Sequence, residues 1–273
     1  MKLAFTTLAC PDWSLETIVK KAAECGFDGV DFRGTDQGLD ITLQDQFLSG
    51  NAATRRLIED HGLVTSGVSS SISMCDASLY DDNIEEAKRT IEVAVGLGAA
   101  QVRMFGNGDE SVDRSERIDV AKRCMEGIHA LDGADQIEWL LEIHDIWLTG
   151  EDCNAMLDVV GRDKMGILWD IGHSTRIGSE SYQNTYAALA SSIPCVHLKD
   201  AIYQPKDQPV MKDGWRYVLP GKGELPITEA VHFLKEKNYD GWYVFEHEKR
   251  WHATLEEPEE ALKAFVSWIR SVD

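Results

Sequence analysis

Two stretches concentrate the residues that could do chemistry. Ile-Leu-Trp-Asp-Ile-Gly-His, from Ile167 to His173, and Cys-Val-His-Leu-Lys-Asp, from Cys195 to Asp200, both open as short apolar runs. Each breaks into polar residues where a buried parallel strand would leave its sheet. Asp170, His173, His197, Lys199 and Asp200 therefore fall at strand ends, where active sites of α/β proteins lie. The pattern recurs along the chain. Arg33 closes the run from Gly29, Arg103 and Asn107 that from Gln101, Glu142 and His144 that from Glu138, and Glu246 and Glu248 that from Trp242. If these strands share one barrel, four consecutive strands bring Glu142, Asp170, His197 and Glu246 to a common mouth. Three carboxylates so placed would repel and raise one another's pKa unless a cation neutralised them. One divalent metal ion does this, and one imidazole with three carboxylates suits Mn²⁺, Zn²⁺, Co²⁺ or Mg²⁺. Singly, each carboxylate would be read as a helix cap or a solvated loop residue, and His144 or His173 as a packing residue. Their joint occurrence on strands five to eight argues for a site.

The elements that must position these residues alternate regularly. Strand-like runs cover Leu3–Thr7, Gly29–Gly34, Leu63–Ser71, Gln101–Phe105, Glu138–His144, Ile167–His173, Cys195–Asp200 and Trp242–Glu246. Helical patterns lie between them: Ser14–Gly26, Phe47–Gly62, a segment ending at Gly98, Ser115–Leu131, Glu151–Val160, Tyr182–Ile193, Ile227–Tyr239 and finally Glu256–Arg270. Asp82 and Glu85 fit a capping box for the third helix. A long loop is expected from Ala201 to Leu225. Eight strand–helix units without a linker predict an α/β fold, a single (β/α)8 TIM barrel over residues 1–273. A doubly wound nucleotide-binding sheet is disfavoured, because the turn after the first strand, Thr6 to Pro11, has no glycine. His61, His129 and His232 fall on helices and are assigned no role; His252 is expected to be structural. Glu256 to Glu260 reads as an acidic helix N-terminus rather than a second metal site.

Composition narrows the partners. The chain of 273 residues has 27 basic and 47 acidic side chains, a net charge of −20. That charge disfavours nucleic acid. Six cysteines are scattered without a Cys-x-x-Cys pair, and no apolar run approaches a membrane span. Met1-Lys2 leads straight into a strand, so no signal peptide is expected; the predicted location is the cytoplasm, away from membranes.

The chain resembles the xylose isomerase-like TIM barrels, the superfamily of sugar phosphate isomerases and epimerases that also holds apurinic endonuclease family 2-like proteins. The resemblance spans nearly the whole chain. It rests on Leu141-Glu142-Ile-His144, Trp169-Asp170-Ile-Gly-His173, Val196-His197-Leu-Lys-Asp200, Pro220-Gly221-Lys-Gly223 and Phe245-Glu246. It implies metal ligation by Glu142, Asp170, His197 and Glu246. It further implies contacts from His173 and Arg216 to a small carbohydrate substrate or to a metal-bound water, and Glu142 and Glu246 as acid and base. The expected reaction is isomerisation or epimerisation of a sugar, sugar phosphate or inosose-type polyol by proton transfer through a metal-stabilised enediolate. Elimination from the same enediolate would make a dehydratase. His144, Lys199 and Arg33 are further candidates for substrate binding; alternatively Lys199 pairs with Asp200, and Arg33 with Asp31. Ketose 3-epimerases carry a second glutamate six residues after the first, and here that position is Leu148. A zinc apurinic-site endonuclease or a non-catalytic sugar-binding barrel are the remoter alternatives. The resemblance also suggests a homo-oligomer.

Overall fold

The computed structural model describes residues 1–204, 206 and 211–272. Eight parallel strands form one sheet: β1 (Lys2–Phe5), β2 (Gly29–Phe32), β3 (Val64–Ser73), β4 (Gln101–Phe105), β5 (Glu138–Glu142), β6 (Gly166–Asp170), β7 (Cys195–Leu198) and β10 (Trp242–Phe245). Their order is β1-β10-β7-β6-β5-β4-β3-β2, and a parallel bridge from Thr6 to Asp31 joins the two ends. The result is a nearly closed α/β barrel, as the eight repeats predict. The strands are buried on both faces, which is why they read as apolar runs rather than alternating ones.

The helices follow from local signals. Helix α1 (Leu15–Cys25) starts at Ser14, whose side chain accepts from the Thr17 amide, and stops at Gly26 in the left-handed region at φ 85°. Its Leu15, Ile18, Val19 and Ala22 face the barrel. Helices α2 (Asn51–Asp60), α4 (Arg114–His129), α5 (Gly150–Val160), α7 (Tyr182–Leu189), α8 (Ile227–Glu236) and α9 (Pro258–Ser271) complete most of the outer layer.

Three expectations are corrected. Helix α3 (Tyr80–Leu97) begins before the proposed Asp82–Glu85 capping box, and its cap position, Leu79, makes no side-chain bond. The local N-terminal signal is Asp76, which caps a preceding single turn by accepting from the Ser78 amide at 2.9 Å. The sixth strand ends at Asp170, and a short helix α6 (Ile171–Arg176) follows at once. The loop expected from Ala201 to Leu225 contains an antiparallel hairpin, β8 (Asp200–Tyr203) with β9 (Trp215–Val218); residues 205 and 207–210 of that span lie outside the described residues. The hairpin escapes a reading keyed to parallel βα units because it belongs to no such unit. All six cysteines are free, and no helix among the described residues is long and apolar enough to cross a membrane.

Candidate metal centre

The barrel brings the four candidate ligands together. Glu142 and Asp170 are the last residues of β5 and β6, His197 lies in β7, and Glu246 directly follows β10. Register aligns Asp170 with His197 and Val244 with His197, so the strand pairing itself sets the cluster. One ligand atom from each of the four lies within 4.8 Å of the others, and all four residues are buried. His197 Nδ1 stands 3.5 Å from Glu142 Oε1 and 3.4 Å from Glu246 Oε1. Among the described residues neither ring nitrogen of His197 finds a hydrogen-bond partner, although the residue is fully buried. Buried polar atoms in native folds are normally satisfied. Three carboxylates and one unpartnered imidazole therefore make a donor set that could hold a divalent metal ion.

Asp170 divides its oxygens. Oδ1 accepts from the His173 amide at 2.9 Å and caps α6, while Oδ2 lies 2.8 Å from Lys199 Nζ. The helix-cap reading of this residue therefore describes Oδ1, while Oδ2 faces the cluster.

The model of the family described as "Xylose isomerase-like TIM barrel" matches residues 19–272. The chain belongs to that family. None of the curated protein sequences matches it. Among solved structures, the barrel superposes on the probable 3-DHS dehydratase AsbF of Bacillus anthracis with a TM-score of 0.79, 17% identity and 100% of both chains covered. A xylose isomerase domain containing protein from Salmonella typhimurium gives 0.77, with 18% identity over 99% of this chain and 97% of that one. D-allulose 3-epimerase from Methylomonas sp. gives 0.72, with 17% identity over 100% and 98%. Identities this low speak for the shared fold.

Around the four residues, this xylose isomerase-like barrel places several cations. Lys199 Nζ lies 2.6 Å from Glu246 Oε2 and 2.8 Å from Glu248 Oε1, besides its contact with Asp170. Its expected pairing with Asp200 is not formed. Asp200 instead accepts from the backbone N–H of Ala201 (2.9 Å), Gly221 (2.9 Å), Gly223 (2.8 Å) and Leu225 (3.3 Å), tying the Pro-Gly-x-Gly turn to the barrel. Arg33 does not pair with Asp31 either: its Nη2 donates to Ser71 Oγ at 2.8 Å and its Nη1 to the Ser69 carbonyl at 3.4 Å. Asp31 instead accepts from Ser69 Oγ at 2.8 Å. Arg103, whose Nε is 3.3 Å from Glu142 Oε2, is the cation that touches the cluster from β4.

These contacts set the titration of the cluster. Burial pushes Glu142 up, but Arg103 and His197 outweigh it and hold the carboxyl below its usual range. Burial likewise works against Glu246, yet Lys199 and His197 carry it well below the usual range. Burial raises Asp170 to about 6; Lys199 opposes, while Glu246 and Glu142 add to the rise. Burial pulls His197 down, but Glu246 and Glu142 overcome it and raise the ring to about 10. A protonated imidazole among the carboxylates is the cluster's own remedy for a deficit of positive charge.

The other predicted residues divide. His173 is buried, with Nδ1 3.7 Å from Asp170 Oδ2 and its ring 4.2 Å from that of His144. His144 is half-buried beside Phe105. Arg216 sits on the β9 hairpin, where Nη2 donates to Gln204 Oε1 at 3.3 Å; among the described residues no ion pair joins it to the four. His252 stacks edge-on against Tyr217 and stands 3.7 Å from Glu248 Oε2. Tyr217 was not legible as a site neighbour, because the hairpin that carries it over Lys199 leaves no periodic signal.

Proposed function

We propose that this protein is a divalent-metal-dependent isomerase or epimerase acting on a sugar, sugar phosphate or inosose-type polyol. The observation that carries this reading is the buried cluster of Glu142, Asp170, His197 and Glu246, with two glutamates flanking one unpartnered imidazole. These four side chains would hold the ion. Bound there, it would polarise a substrate carbonyl and the adjacent hydroxyl, acidifying the C–H of the carbon that bears this hydroxyl.

The remaining work falls to the chain. Glu142 and Glu246 both face His197, and both are held ionised by neighbouring cations, the state required of a base. One removes the proton next to the carbonyl, and the other, after taking up a proton from solvent, returns one. Return to the same carbon from the opposite side epimerises; return to the neighbouring carbon isomerises. Arg103 holds Glu142 and Lys199 holds Glu246, so that the two carboxylates keep their separation.

Dehydration is the second reading. Leu148 occupies the position where the ketose 3-epimerases, which this chain resembles, carry a substrate-gripping glutamate, so a free-ketose epimerase lacks one of its handles here. The fold similarity to a probable dehydratase is compatible with this reading.

A panel of ketoses, inososes and sugar phosphates incubated with Mn²⁺ in D₂O tests both. Deuterium at the carbon beside the carbonyl is expected, with retained product for an isomerase or epimerase and loss of water for a dehydratase. Glu246→Gln should abolish exchange while preserving the fold. Full exchange in that variant would remove Glu246 from its assigned role.

A further inference from the structure

Beside the metal centre lies a second polar network that the cluster does not use. His144 Nδ1 is 2.6 Å from Asp145 Oδ1. With its amide nitrogen turned toward Asp145, Asn107 donates to Oδ2 at 2.6 Å and to Oδ1 at 3.1 Å, and its amide oxygen accepts from Ser73 Oγ at 2.6 Å. Four residues from the ends of β3, β4 and β5 thus form one chain leading to a single imidazole edge. The backbone is bent to build it. Asn107 (φ 50°) and Asp145 (φ 53°) are two of the four non-glycine residues with positive φ among the described residues, and they meet in this network. Such conformations persist where surrounding structure over-determines them, and they gather at functional sites. Trp147 locks the corner, donating from its indole to the Asn107 carbonyl at 2.9 Å and from its backbone to the His144 carbonyl at 2.9 Å.

A tight turn alone does not explain this arrangement. An Asp in the left-handed region of a turn commonly bonds its own nearby backbone, whereas Asp145 spends both oxygens on His144 and Asn107. The other ring nitrogen is left available: among the described residues His144 Nε2 has no hydrogen-bond partner, and the residue is only half-buried. The ring stands 4.2 Å from that of His173, which in turn neighbours Asp170.

We propose that Asp145, held by Asn107 and Ser73, is a positioning residue that fixes His144 with its proton on Nδ1, leaving Nε2 as an acceptor for a substrate hydroxyl next to the metal centre. The inference rests on the reading of the cluster as a sugar-modifying site, and it adds a third polar handle to the two glutamates. It suits a polyol, whose hydroxyls are donors, and His144 precedes by four residues the Leu148 position that offers no carboxylate.

Long-range ¹H–¹⁵N correlation on the uniformly labelled full chain, without substrate or metal, tests this directly; His144→Gln assigns the signal. The wild type is expected to show His144 in one tautomer, protonated at Nδ1. Asp145→Ala should release it to a tautomer mixture or to the Nε2-protonated form, and Asp145→Asn, which keeps an acceptor oxygen, should restore the original pattern. Added Mn²⁺ should broaden the His144 and His173 rings and spare His232, which lies on α8. A wild-type His144 averaging between tautomers or protonated at Nε2 would overturn the proposal. So would an unchanged signal in Asp145→Ala, or a His144 ring untouched by Mn²⁺ that broadens His173. If Asp145→Ala does not fold, Asn107→Ala loosens Asp145 from its far side and is expected to populate the second tautomer. Because no turnover is read, failure here leaves the deuterium-exchange test intact, and absence of exchange would leave the tautomer result standing.

Discussion

Lys199→Met is the perturbation whose consequence can be worked furthest. The ammonium is 2.8 Å from Asp170 Oδ2, 2.6 Å from Glu246 Oε2 and 2.8 Å from Glu248 Oε1, and its side chain is only 4% exposed. Methionine keeps the length of the stem and removes the charge. Three carboxylates then lose a shared cation inside the barrel, leaving His197 and Arg103 as the neighbouring compensation. Removing one member of a buried charge cluster costs about 3–5 kcal/mol, because the remaining charges stay desolvated and unpaired. For a chain of this size a loss of that order lowers Tm by roughly 5–9 °C. The assay is differential scanning calorimetry in chelator, repeated with saturating Mn²⁺. A divalent ion would neutralise Asp170 and Glu246 in place of the ammonium, so the deficit should shrink when metal is present. A variant melting within about 1 °C of wild type in chelator would refute the idea that Lys199 neutralises this cluster. An equal deficit with and without Mn²⁺ would refute the idea that the ion and the ammonium serve the same carboxylates.

Further outcomes are expected from the same geometry. In chelator, His197 keeps its proton to about 10 in the folded state, against 6.5 for the ordinary ring. The folded protein then binds more protons between those values, so this stability is full below pH 6.5 and lost as pH rises toward 10. Melting curves across that window should fall with pH in the metal-free protein, and a flat profile would contradict the raised ring. Since an ion must displace that proton, Mn²⁺ affinity measured calorimetrically should rise over the same interval. Asp200→Ala removes an acceptor used by four backbone N–H groups and should destabilise by about 2–4 kcal/mol, with new proteolytic cleavage near Lys222. Gly106→Ala would drive a methyl into the Trp147 indole, costing about 1–3 kcal/mol in urea melts; a neutral result would mean the β4 turn is looser than described.

Much of this protein is written locally. Apolar runs such as Ile167 to Trp169 and Trp242 to Phe245 mark buried parallel strands, and Ser14 and Gly26 bound a helix, because burial on both faces and capping act over a few residues. The four candidate ligands were legible for the same reason: each stands where an apolar run breaks, and barrel closure carries all such positions to one end. What the charged groups pair with was not. Lys199 lies beside Asp200 in the chain, yet strand alternation turns the two apart, Lys199 to Glu246 and Glu248 and Asp200 to the turn at Gly221 to Leu225. Arg33 and Asp31 likewise find separate partners, Ser71 and Ser69, on the neighbouring strand. The hairpin of β8 and β9, and the meeting of Ser73, Asn107 and Asp145 around His144, depend on contacts between residues far apart in sequence. Strand ends and residue types follow from short-range periodicity, so the sequence by itself determined the barrel and the inventory of its mouth. Which of those side chains face one another is set by barrel closure and by the direction each side chain leaves its strand, and only the tertiary structure decided that.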